Sequence, residues 1–288
     1  MAKKILEKLY LLIQGKYFVK KEVLLDSYAN IISLMENQSP FIKSWQLTKE
    51  FITATYLKQI DKFMNSYLEY KNKLIEFVNK ILARTHRIET FTKELKDQYV
   101  DVASVILVHV LVGLENISAN INLHETNVNS FDEAKDEEKQ NLLTVSLLME
   151  QFALLWLVLP REEGDSYHSQ FVEICKKFYS FTNFYVRKAM LTAIVRIIKD
   201  ERAQKKNALS SDAFALADFV LEATAKQGEK YDANLELLSE ACLQISQVDI
   251  PGTLADRISK NSETLVEILQ ERGADSLRKN VDLIRAKL

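Results

Sequence analysis

The chain has 288 residues, of which 47% are hydrophobic and 27% are charged, and its formal net charge is −2. It contains only six glycines and three prolines, whereas average usage of about 7% and 5% would give roughly 35 together. So much apolar surface argues against disorder, and so few turn-forming residues argue against a sheet protein. The composition therefore predicts an all-α fold.

Apolar residues recur every three or four positions along most of the chain, which is the spacing of helices with one buried face. Between Pro40 and Gly113 no glycine or proline interrupts this pattern. In chain order, helices are predicted at 2–14, 17–37, 41–84 (one long helix or two joined near Thr55), 87–122, 131–159, 167–181, 184–204, 212–227, 232–247, 253–270 and 274–287. A nearly heptad-spaced apolar stripe runs through the third region, at Ile60, Met64, Tyr67, Leu74, Val78 and Ile81.

Several helix ends carry recognisable capping residues. Ser130 and Glu133 fit a capping box, which predicts a helix start at about Phe131. Pro160 is expected to stop that helix, because proline cannot continue the hydrogen-bond ladder. Ser211 with Asp212 predicts the next well-marked N-terminus.

Two stretches are apolar enough to raise the question of a membrane span. The first, 102–114, is too short and contains His109, and the second, 142–159, has Glu150 at its centre. Both are therefore predicted to be buried helices of a protein with no membrane span. If the two helices pair in antiparallel fashion, His109 and Glu150 are expected to meet as a buried hydrogen-bonded pair.

The small net charge hides a marked segregation of charge along the chain. Residues 1–96 carry a net charge of +7, and residues 97–160 carry a net charge of −8. Such segregation concerns partners and their approach, not the fold. We expect the basic and acidic parts to steer oppositely charged partners.

One segment of the C-terminal half resembles a known repeat. Residues 185–200 read YVRKAMLTAIVRIIKD, which resembles the second helix of a HEAT repeat, where a Val-Arg pair opens a run of small and aliphatic residues. Two further segments, from Asp232 and from Ser276, follow at intervals of about 45 residues, within the period of HEAT and armadillo repeats. The resemblance implies a right-handed α-solenoid that holds partner proteins, and it implies no chemistry. With the helices predicted above, such a solenoid would have about 10 to 13 helices.

The alternative to a solenoid is an irregular multi-helix bundle. For the solenoid, the expected organisation is an N-terminal basic region with long helices at 1–122 and a HEAT-like region at 123–288, together forming one continuous superhelical domain. The two cysteines, Cys175 and Cys242, show no metal-binding or redox spacing. They are interpreted as core thiols of an intracellular protein, cytoplasmic or nuclear.

No pattern in the sequence predicts a catalytic, metal or cofactor site, or a small-molecule substrate. None of the four histidines lies in a metal-binding motif, and no glycine-rich phosphate loop or nucleophile elbow is present. A helical enzyme, such as a HEAT-like DNA glycosylase or a regulator of small GTPases, stays as a minor alternative.

Two clusters of basic residues are candidate sites for a partner protein or for DNA or RNA. The first is near the start, beside two aromatic residues, and the second follows the HEAT-like motif. The ten residues are Lys16, Lys20, Lys21, Arg187, Lys188, Arg196, Lys199, Arg202, Lys205 and Lys206. Basic residues interleaved with aromatic ones can follow a phosphate backbone and stack on bases.

The sequence thus predicts a non-enzymatic scaffold or adaptor, a subunit or fragment of a larger intracellular complex. A helical-repeat protein that binds nucleic acid through the basic clusters is the alternative hypothesis. Membrane-surface binding through the basic N-terminal helices is a third.

Overall fold

The computed structural model of the protein describes residues 8, 27, 49–50, 52–53, 68–85, 93–120, 136–158, 167–179, 183–204, 208–226, 235–249, 256, 260 and 275–286. The predicted helices at 2–14, 17–37 and 253–270 lie outside these residues, apart from isolated positions. So do the first part of the region 41–84 and the Ser130 capping box.

Within the described residues every regular element longer than a turn is an α-helix, which confirms the all-α prediction for this part of the chain. The helices are α1 (Leu68–Thr85), α2 (Lys93–Asn120), α3 (Asp136–Leu155), α4 (Tyr167–Tyr179), α5 (Phe184–Gln204), α6 (Ser211–Lys226), α7 (Leu235–Ser246) and α8 (Asp275–Arg285).

The end of α3 and the start of α6 differ from the prediction, and hydrogen bonds account for both differences. Helix α3 ends at Leu155, four residues early, because the chain leaves the helix in a turn where the Val158 N–H donates to the Leu155 carbonyl at 2.9 Å. The N-cap of α6 is Ser210 and not Ser211. The Ser210 hydroxyl accepts the N–H of Ala213 at 3.3 Å, which pairs one of the amides that a helix start leaves without a partner.

The chain divides into two compact units. Unit 1 comprises Met1–Ile117 and Ala134–Pro160, and unit 2 comprises Ser118–Glu133 and Arg161–Leu288. Helix α3 falls in unit 1 because it packs against α1, far back along the chain. The predicted organisation, a basic region at 1–122 and a HEAT-like region at 123–288, stays a prediction.

Buried polar side chains join α1 to α3 in unit 1. The Asn72 amide donates to the Gln140 carbonyl at 2.9 Å and to Gln140 Oε1 at 2.9 Å, and its oxygen accepts the Thr144 hydroxyl at 2.7 Å. Two turns further along α1, the Asn79 amide donates to the Leu147 carbonyl at 2.9 Å. Since the partner advances by seven residues on both helices, α1 and α3 run parallel in a fixed register.

The apolar residues of α1 fill the space around these contacts. Leu74, Val78 and Ile81, the part of the predicted stripe that the structure describes, are all fully buried, as the sequence predicted. In α2, Gly113 permits a close approach to α3, because a β-carbon at this position would lie 3.1 Å from Leu148 Cδ1. Helix α2 therefore presents its Gly113 face to α3.

Helix α5 is central to unit 2. It packs against α4, α6 and α7, and α7 in turn packs against α6 and α8. The core includes the fully buried rings of Phe171 and Phe178 on α4, and Tyr179 meets Phe219 of α6 edge-on at 5.0 Å between ring centroids. These contacts join each described helix of unit 2 to the next one, and they also join α4 to α6 and α5 to α7.

A buried carboxylate connects α5 to the start of α6. Glu201 is fully buried, and its two oxygens accept the Ser210 backbone N–H at 2.7 Å and the Ser210 hydroxyl at 2.8 Å. Charged acceptors of this kind are favourable at a helix N-terminus, where backbone amides point outward. Glu201 thereby fixes Ser210 as the cap of α6.

The contacts of Asn72 lead to a stability prediction. Asn72→Asp keeps the shape of the side chain but replaces two donated hydrogen bonds by a carboxylate facing two oxygen acceptors. We expect the free energy of unfolding to fall by about 2–4 kcal/mol. Denaturant unfolding followed by circular dichroism measures this change.

The matched control is Gln247→Glu, the same amide-to-acid change at an exposed position. It is expected to change stability by no more than about 0.5 kcal/mol. Equal effects of the two substitutions would show that the Asn72 contacts do not stabilise the α1–α3 pair.

Candidate interaction surfaces

The structure describes five of the ten basic residues singled out in the sequence. Lys16, Lys20, Lys21, Lys205 and Lys206 lie outside the described residues, so the N-terminal cluster stays a prediction. The five described residues, Arg187, Lys188, Arg196, Lys199 and Arg202, all belong to α5. The structure places four of them on the surface and one in the interior.

Arg187 is the interior one. Only 4% of it is exposed, and its guanidinium carbon lies 5.6 Å from the centroid of the Tyr179 ring on α4. Burial lowers the pKa of the Arg187 guanidinium, and the nearby Tyr179 acts in the opposite direction. Arg187 thus joins α5 to α4 and does not belong to the exposed basic surface.

The other four residues form a basic stripe on the outer face of α5. At 3.6 residues per turn they fall within about one third of the helix circumference and span about 21 Å. Lys188 and Lys199 are exposed, whereas Arg196 and Arg202 are partly exposed. Arg196 Nε lies 3.5 Å from Asp200 Oδ2, so one of the four charges is partly balanced on the same helix. We call Lys188, Arg196, Lys199 and Arg202 the α5 basic stripe.

A second surface, which the sequence interpretation missed, lies on α2. Val105, Val108 and Val112 are 46%, 45% and 49% exposed, although the stretch 102–114 was predicted to be buried. Its other side is indeed buried, with Ile106, Val110 and Leu114 fully inaccessible. The prediction was therefore right for one face of α2 and wrong for the opposite one.

The exposed valines belong to a longer stripe with acidic ends. Asp101 and Glu115 are exposed as well, and positions 101, 105, 108, 112 and 115 lie within an arc of about 80° on the helix surface. The signal in the sequence was the alternating spacing of four and three residues. We call Asp101, Val105, Val108, Val112 and Glu115 the α2 valine stripe.

Within the described residues, one helix, Tyr99–Ala119, is long and apolar enough to cross a membrane by length and composition, and under half of it is buried. Core helices of soluble proteins pass the same test, so it is only a weak indication of a span. No membrane span was predicted here, and that expectation stays a prediction.

The groups that the sequence analysis weighed for chemistry are mostly interior. Cys175 and Cys242 are buried, as predicted for core thiols. Burial raises the pKa of Cys175 strongly and that of Cys242 to about 12, so both thiols are protonated at neutral pH.

Burial also lowers the pKa of Lys71 on α1, which is 7% exposed. Among the described residues, no three His, Cys, Asp or Glu side chains are grouped to hold a metal ion.

Glu150 has a partner that the sequence did not suggest. One of its carboxylate oxygens accepts the Asn79 amide of α1 at 3.1 Å. A buried or half-buried charge was expected to require a hydrogen-bond partner. For Glu150, the structure shows such a partner on α1, the side chain of Asn79. The predicted pair of Glu150 with His109 stays a prediction.

Comparison with known proteins gives no relative: no protein-family model, no curated protein and no solved structure matches the chain. The surfaces of the protein itself are therefore the basis of the proposed function.

The burial of the two cysteines leads to a prediction about their reactivity. In the native protein at pH 8, we expect neither thiol to react with a thiol-specific reagent such as dithionitrobenzoate within minutes, because both are inaccessible and protonated. In guanidinium chloride both are expected to react. Rapid modification of Cys175 in the folded protein, identified by peptide mass spectrometry, would contradict this assignment and revive a nucleophilic role.

Proposed function

We propose that the protein is a non-enzymatic interaction scaffold, a subunit of a larger intracellular assembly, with a HEAT-like α-solenoid in its C-terminal unit. The observation that carries the proposal is the α2 valine stripe, where three valines are about half exposed on one face of a helix. Apolar residues grouped on a surface mark sites where other molecules bind. A face of this kind serves recognition, and no chemistry follows from it.

The packing order in unit 2 supports the solenoid. The three segments that resemble second helices of HEAT repeats correspond to α5, α7 and α8. Helix α7 packs against α5, and α8 packs against α7, so these helices form one row. Helix α6 packs against α4 in a second row, where the Ser169 hydroxyl donates to Asp212 at 3.2 Å. Stacked helix pairs produce such rows, each pair contacting only its neighbours.

The consequence of such stacking is an extended surface. In a solenoid the outer faces of successive helices lie side by side, so a partner can contact several repeats at once. An extended surface of this kind supports a scaffold function.

The α5 basic stripe favours nucleic-acid binding as a second candidate function. Four basic side chains along about 21 Å of one helix face match the spacing at which a protein can follow successive phosphates. The stripe contains one partly balanced charge, that of Arg196 beside Asp200. Its attraction for a phosphate backbone therefore depends mainly on Lys188, Lys199 and Arg202.

The first experiment is purification of the tagged protein from an extract of the cells that make it, with and without nuclease. For a scaffold we expect partner proteins in stoichiometric amounts that stay bound after nuclease treatment, identified by mass spectrometry. Loss of all partners on nuclease treatment would overturn the scaffold proposal and favour nucleic-acid binding.

Nucleic-acid binding, the second candidate function, is tested by reversing two charges on α5. If the stripe binds nucleic acid, Lys188→Glu combined with Lys199→Glu should weaken binding to duplex DNA or RNA. The negative slope of log affinity against log salt should become shallower by about 1.8, the change expected when two phosphate contacts are lost. The control is Lys176→Glu with Lys177→Glu, an equal change of charge at exposed positions of α4. Equal effects of the two pairs would reject the stripe as the binding surface.

A further inference from the structure

The α2 valine stripe has the geometry of one half of a helix–helix seam. Its members follow one another at intervals of four, three, four and three residues, the spacing at which two helices pack along a shared line. From Asp101 to Glu115 the stripe is about 21 Å long, or four turns. Valine is β-branched and loses little side-chain freedom on contact, which suits such packing. The geometry fits a partner α-helix.

The charges at the two ends of the stripe restrict the partner further. Asp101 precedes the valines by one turn and Glu115 follows them by about one turn, and both are exposed. Asp97, one turn earlier, is exposed as well. Between residues 97 and 134 the chain contains no lysine or arginine. A partner helix therefore gains from basic residues before and after its own apolar positions.

A second copy of this chain does not meet that requirement. In an antiparallel pair centred on Val108, Asp101 of one copy would face Glu115 of the other at both ends. In a parallel pair each acidic residue would face its own counterpart. Both arrangements bring like charges together, which opposes association. The acidic ends thus act against self-association through this face.

An anionic membrane surface fits the stripe no better. Helices that lie on membranes carry lysine and arginine beside their apolar face, where these residues attract anionic lipids. The exposed ends of the α2 valine stripe carry carboxylates. Lipid head groups would repel them.

We propose that the α2 valine stripe binds an amphipathic α-helix of another protein, one with apolar residues at the same spacing and with lysine or arginine about one turn beyond each end. This inference rests on the proposed function as a scaffold and identifies the partner class for one of its surfaces. Val108, at the middle of the stripe, is the expected centre of the contact.

The test uses the full chain and two synthetic helical peptides of about 21 residues, three heptads each. Both carry the same valine and leucine seam. One has lysine at both ends of the seam, and the other has glutamate there. By fluorescence anisotropy, we expect the lysine peptide to bind at least about tenfold more tightly than the glutamate peptide at low salt, with the difference falling as salt rises.

Two variants locate the binding on the stripe. Val108→Asp should weaken binding of the lysine peptide by about thirtyfold. Leu283→Asp, at a residue of α8 with a similar exposure of 43%, is the matched control and should have no effect. Asp101→Lys combined with Glu115→Lys should reverse the preference, so that the glutamate peptide binds more tightly. A reversed preference cannot arise from unfolding, because unfolding would weaken the binding of both peptides.

Three results would overturn the inference. They are equal binding of the two peptides, a dimer in sedimentation analysis that Val108→Asp dissociates, and binding to anionic vesicles that Val108→Asp abolishes. Failure of this inference is distinguishable from failure of the proposed function. Suppose that neither peptide binds, but that wild type and Val108→Asp retain the same nuclease-resistant partner proteins. The proposed scaffold function is then supported, and its partner contacts lie outside the α2 valine stripe.

Discussion

The register between α1 and α3 depends on hydrogen bonds from buried asparagine side chains, and α2 in turn approaches this pair at Leu148 of α3. A helix satisfies its backbone internally, so apolar contacts alone would let two helices slide past one another at modest cost. Asn72 and Asn79 each donate to a backbone carbonyl of α3, at Gln140 and Leu147. A shift of one residue would break both contacts and leave buried donors unpaired, at a cost of about 1–3 kcal/mol each.

With that register set, α2 is an apolar helix covered on only part of its circumference. Gly113 allows α2 to approach Leu148 closely, and residues such as Ile106 and Leu114 are buried, but the valines at 105, 108 and 112 are about half exposed. A surface helix normally carries polar residues on its outer face. Positions that break such a rule are where binding sites are found, because exposed apolar surface is costly unless a partner covers it.

The two surfaces described here differ in the partner they would accept. The α2 valine stripe joins apolar residues to carboxylates and suits a basic amphipathic helix. The α5 basic stripe attracts anions, and none of the exposed large hydrophobic residues among the described residues lies on α5. Arg187 and Lys188 illustrate how fine this distinction is: they are adjacent in the sequence, yet one packs on Tyr179 inside unit 2 and the other is exposed. Consecutive helix positions are about 100° apart, so a sequence cluster is not yet a surface.

The sequence by itself determined that this chain forms helices, and it placed most of the described ones within a few residues, since helix formation depends on local spacing and on the scarcity of glycine and proline. It also identified Cys175 and Cys242 as core thiols, because they share helix faces with aromatic and aliphatic residues. The tertiary structure decided which faces are covered. Ser210 and not Ser211 caps α6 because Glu201 reaches it from α5. Asn79 donates to Glu150, and α3 packs against α1, across some 70 positions of the sequence. Such contacts are set by packing and leave no local pattern.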